Sequence, residues 1–185
     1  MRKTGAIVLV LALALSAVLG SSSLVAAADP PELVALWHFD GDATDSSGNG
    51  NDGTTYGDAS YVGGHSGQAL SLDGAGDYMQ VHGDSIDCTD AITIEAWIKP
   101  AAFSNYDAIV TNFGWTGNPA GSQGSSFRVM ANGKLMWRAV LSGDAYYYIT
   151  SNSTMTIGNW YHVAVTHDSS HTRLYINGQL DVEET

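Results

Sequence analysis

Past residue 28, no stretch of this chain keeps an apolar stripe at helical spacing. Short β-branched and aromatic runs stand in its place, cut apart by Gly, Asn, Asp and Ser. Residues 92–98 alternate most cleanly: Ile92, Ile94, Ala96 and Ile98 share one face, and Thr93, Glu95 and Trp97 the other. That is an antiparallel strand with one face buried. Pro100 ends it. Further strands are expected over 34–39, 69–72, 78–81, 108–111, 145–150 and 160–167. Two hairpins are expected around Asn132-Gly133 and Asn177-Gly178, with arms 127–131/134–139 and 174–176/179–182. Asn-Gly supplies the two positive φ angles of a type I′ turn. About ten short strands imply an all-β sandwich or barrel. The Gly-rich stretch from Gly41 to Gly67 reads as one long functional loop, because strands resume after it.

The first 28 residues fit none of this. Arg2 and Lys3 precede an apolar run from Ala6 to Leu19, then three serines and Ala26-Ala27-Ala28. This is the pattern of a secretory signal peptide cleaved after Ala28. The run is shorter than the ~20 residues of a membrane-spanning helix. Residues 29–185 then form the mature domain, exported to the medium or the cell surface, with no membrane span. Cys88 is its single cysteine, so no internal disulfide is available, and a buried small hydrophobe is the expected role.

Charge narrows the function. The chain carries 7 Lys+Arg against 19 Asp+Glu, and none of the basic residues lies between Lys3 and Lys99. Nucleic acid is excluded as a partner, because phosphate recognition needs a basic surface. The uncompensated carboxylates suit either an acidic solvated face or a bound hard cation.

Five segments, in order, carry a family resemblance. "ALWHFDGDATDSSGNGNDGT" (35–54), "SGQALSLDGAGDYMQV" (66–81), "AITIEAWIKP" (91–100), "GNWYHVAVTHD" (158–168) and "TRLYINGQLD" (172–181) together resemble the LamG-like domains of the concanavalin A-like lectin/glucanase superfamily. The resemblance implies a jelly-roll β-sandwich of two antiparallel sheets. It also implies strands after the last hairpin, one carrying an acidic residue, so residues 29–185 are expected to lack the domain's last strands.

Asp40, Asp45, Asn49 and Asn51 fall in the first acidic loop among Gly48, Gly50 and Gly53. Calcium takes ~6–8 oxygen ligands, and carboxylates, amides and glycine-freed carbonyls can supply them. The spacing does not match an EF-hand. The resemblance adds that LamG-like domains often bind calcium near this loop. An Asx-turn-rich solvated loop is the alternative. His167 and His171 are four apart across a turn, which is poor zinc geometry.

Five Trp and nine Tyr against four Phe favour amphipathic rings that stack on sugars. Trp97, Trp115, Tyr146 and Tyr148 are the expected ligand platform, and Trp137 and Trp160 the expected core. The superfamily's glucanase motif, Glu-x-Asp-x-x-Glu, is missing, and Glu95 stands alone on its strand. The expectation is therefore a non-catalytic module binding carbohydrate or extracellular protein. A structural or adhesion module, or an accessory domain of a longer carbohydrate-active enzyme, is the alternative.

Overall fold

The computed structural model describes residues 33–81, 91–104, 107–111, 124–140, 146–168 and 170–185. The expected signal peptide, Cys88 and Trp115 lie outside them, as does the side chain of Tyr146.

The described residues form twelve strands and no helix. In chain order they are β1 Gly53–Tyr56, β2 Ser60–Gly63, β3 Gln68–Ser71, β4 Tyr78–Val81, β5 Ile92–Ile98, β6 Asp107–Thr111, β7 Ser125–Val129, β8 Leu135–Val140, β9 Tyr146–Thr150, β10 Tyr161–His167, β11 Thr172–Ile176 and β12 Gln179–Glu184. One four-stranded sheet runs β12-β11-β10-β5, a second β6-β7-β8-β9. Two pairs, β1-β4 and β2-β3, complete the set, and every pairing is antiparallel.

Period-2 alternation explains how the sheets face one another. Ile94, Ala96 and Ile98 of β5 are buried, as are Val163 and Val165 of β10 and Leu174 of β11. From the other sheet come Phe127, Val129, Leu135, Trp137 and Ile149. All belong to one apolar cluster, so each four-stranded sheet keeps its other face outward. Leu70 of β3 and Ala35, Trp37 and Phe39 of the N-terminal segment join it.

Three local expectations fail for identifiable reasons. Residues 34–39 form no strand. Ala35, Trp37 and Phe39 do bury alternately, but only Trp37 bridges, to Asp45. The backbone there is satisfied by side chains: Leu36 N donates to Asp45 Oδ1, and Asn49 and Asn51 Nδ2 donate to Val34 O. Phe39, at φ 59°, then ends the extension. Second, the stretch 41–67 is no single loop, because β1 and β2 lie within it. Third, Asn132-Gly133 is not a type I′ turn. Gly133 N donates to Met130 O and only Gly133 has positive φ, which makes a type I turn closed by a left-handed glycine. Asn177-Gly178 has φ 52° and 76° and does match type I′.

Candidate functional site

The outward face of β5 and β10 carries an aromatic and imidazole cluster. Trp97 points away from the core, as alternation requires, and sits directly across from His162. Their ring centroids are 5.5 Å apart. His162 Nε2 lies 3.4 Å from Glu95 Oε2, a contact that becomes an ion pair when the imidazole is protonated. The Asn177-Gly178 turn holds this end of β10: Asn177 N donates to His162 O, and His162 N donates to Asn177 Oδ1.

His65 enters from the tip of the β2-β3 hairpin. Its ring lies flat on Trp97, with centroids 3.6 Å apart and planes 11° apart. The edge of Trp160 approaches His65 at 5.9 Å. The hairpin is closed by Gly64 N donating to Gly67 O, and pinned beside the turn by Gln68 N donating to Asp40 Oδ1. Beside this cluster runs a groove of about 240 Å³ lined by Val62, Gly63, Lys99, Pro100, Ala101, Gly158 and Trp160. Gly158 N donates to Pro100 O, which fixes the wall formed by the loop before β10.

The expected ligand platform is divided. Trp97 joins the cluster just described. Tyr148, 63% exposed, stands on the outward face of the other sheet, opposite Arg138 of β8. Trp160 is half-buried on the groove wall rather than in the core, whereas Trp137 is in the core as expected. His65, Trp160 and Lys99 were missed as site residues. The Gly-Gly-His-Ser-Gly tip marks a turn, but nothing in it reports that the turn reaches the end of β5.

The expected metal loop is organised around its own backbone. Asp45 is buried, and its carboxylate accepts from Leu36 N, Ser47 N, Asn51 N and Ser47 Oγ. Burial alone would raise its pKa, but those donors override it and hold the value at about 2. Asp40 pins the hairpin, Asn49 Nδ2 donates to Leu33 O, and Asn51 Nδ2 donates to Val34 O. Asp45, Asn49 and Asn51 therefore tie the loop to the first segment, the two amides meeting at Val34 O, while Asp40 reaches the β2-β3 hairpin.

A different acidic group could hold a metal ion: Asp58, Asp73 and Asp77, with one oxygen of each within 4.8 Å of the others. They meet where the β1-β2 turn touches the β3-β4 turn. Asp77 accepts from Asp58 N and Asp73 N, and these bonds lower its pKa. Asp58 is raised instead, first by sharing a hydrogen bond with Asp77 and then by the charges of Asp77 and Asp73. A Cβ at Gly57 would lie 2.1 Å from Asp77 Oδ1, so glycine is what lets the two turns approach.

Two antiparallel four-stranded sheets closed over one apolar core make a β-sandwich of the concanavalin A-like kind. Residues 73–185 match the Laminin_G_3 family of the concanavalin A-like lectin/glucanases superfamily, and the chain belongs to that family. Among solved structures, domain 4 of AbnA, a GH43 extracellular arabinanase from Geobacillus stearothermophilus in complex with arabinotriose, aligns with TM-score 0.69 at 23% identity, covering 83% of this chain and 75% of that one. At that identity the likeness is one of fold. An S-layer domain-containing protein (residues 221–444) from Clostridium thermocellum ATCC 27405 aligns with TM-score 0.56 at 28% identity, covering 81% and 71%. No curated protein matches the chain. Among the described residues no helix is long and apolar enough to cross a membrane.

Proposed function

We propose that this chain is exported by residues 1–28 and acts outside the cell as a non-catalytic carbohydrate-recognition domain, residues 29–185. Its sugar site is the groove beside Trp160 and the Trp97–His65 stack. One observation carries this reading: two indoles and two imidazoles converge next to an apolar cleft on the outward face of a rigid sheet. Indole faces pack on the C–H faces of sugars, and imidazole nitrogens bond hydroxyls. The arabinotriose held by the AbnA domain supports the ligand class.

Binding is favoured over hydrolysis because retaining hydrolysis needs two carboxyls ~5–5.5 Å apart. Among the described residues, Glu95 is the one carboxylate in the cluster, and its contact is His162. Calcium is proposed at Asp58, Asp73 and Asp77, in a supporting role away from the groove.

Isothermal titration of the purified domain against a panel of soluble oligosaccharides, arabinotriose among them, tests the reading. At least one sugar is expected to bind, and Trp160→Ala is expected to weaken it by roughly tenfold or more. Loss through Tyr148→Ala with Trp160→Ala silent would move the site to the opposite face and overturn the assignment. Silence across the panel would favour the alternative of a structural or adhesion module.

A further inference from the structure

We infer that the groove selects a carboxylated sugar unit, a uronate, over a neutral one. The inference rests on the groove being the sugar site and adds the class of sugar. Of the seven residues lining it, Lys99 alone is charged, and the rest offer backbone, aliphatic carbon and one indole. Lys99 is exposed at the end of β5. Among the described residues it makes no ion pair, although the chain holds 19 carboxylates against 7 basic side chains. In so acidic a protein a lysine on the wall of an apolar cleft, with no ion pair of its own among the described residues, is a local positive point where an anionic group can be met.

The remaining chemistry fits the same ligand. A pyranose ring carrying a carboxylate has an apolar C–H face for Trp160 and one negative end for Lys99. The cleft, at about 240 Å³, is below the ~300 Å³ at which sites for drug-sized ligands begin, and suits a single ring. The domain's net negative charge repels a polyanion at long range. That repulsion is screened beyond the ~8 Å Debye length at physiological salt, so the ammonium in direct contact decides the preference. Neutral sugars leave Lys99 without a partner and gain only the stacking.

Titration with trigalacturonate and with neutral galactotriose at physiological salt reads this out. The native domain is expected to prefer the acid by roughly tenfold. Lys99→Gln is expected to erase that ratio. Lys134→Gln, the same change of charge on the β7-β8 hairpin, is expected to preserve it, which separates the local contact from bulk charge. Equal affinity for both sugars, or equal loss of the ratio in both variants, overturns the inference and leaves the groove as a neutral sugar site. If the native domain binds neither sugar nor any other of the panel, the sugar-site reading falls with it.

Discussion

Asp45 shows what a single residue can hide. In sequence, Asp-Ser-Ser-Gly-Asn-Gly-Asn-Asp reads equally as a cation loop and as a run of Asx turns, because both use carboxylates beside glycines. In the structure, Asp45 takes four donors and ties the N-terminal segment to the core. The choice depends on Leu36, nine residues earlier, bringing its N–H to the same carboxylate, which no local pattern records. The sign of its pH effect follows. The folded pKa of about 2 lies below the usual carboxylate value, so the stabilisation is complete above about pH 4 and drains away as pH falls toward 2. That differential is worth about 2 kcal/mol. Asp45→Asn puts an amide N–H₂ against backbone donors and is expected to cost about 2–3 kcal/mol at pH 7. Urea unfolding should show the gap between variant and native narrowing toward pH 2, and a gap independent of pH would refute the assignment.

At the level of elements, most of the fold was legible, and of the two Asn-Gly turns one was. β5 was readable to the residue because one face is buried and the period is strict. β1 and β2 were missed because they are four residues long and mostly half-buried or exposed, so neither has an apolar face to read. The two Asn-Gly dipeptides diverged through context. Gly178 points into open space, whereas a Cβ at Gly133 would lie 2.6 Å from Met155 O and 3.0 Å from the Phe103 ring. Met155 N donates to Gly133 O, so the 151–160 loop packs down on the β7-β8 turn and shapes it. Substitution should separate them. Gly178→Ala is expected to cost about 1 kcal/mol, the backbone price of positive φ. Gly133→Ala meets the same φ cost plus backbone contact and is expected to cost about 2–3 kcal/mol. Equal losses in chemical denaturation would mean that the packing at Gly133 is incidental. The candidate site was half legible for a related reason. Trp97 follows from strand alternation, while His65 and Trp160 arrive through contacts between segments distant in sequence.

At the scale of the molecule, the charge imbalance is concentrated where the chain has no basic residue of its own, in the first half of the domain. Among the described residues, most carboxylates there accept from backbone N–H groups, as at Asp45 and Asp40. Asp58, Asp73 and Asp77 are the described group in which carboxylates also press on one another, as the raised pKa of Asp58 records. A divalent ion would neutralise that repulsion and link the β1-β2 and β3-β4 turns, so its effect should appear in global stability. Calcium at millimolar concentration is expected to raise the Tm beyond the increase given by sodium chloride of equal ionic strength, which screens without bridging. Asp58→Asn should act with two signs. Without calcium it removes a like charge and raises the Tm, since Asp58 offers its carboxylate to the cluster while its backbone N–H already serves Asp77. With calcium it removes a ligand and reduces the calcium increment. A variant that melts lower than the native domain without calcium, or keeps the full increment with it, would show that the three carboxylates are solvated independently and hold no ion.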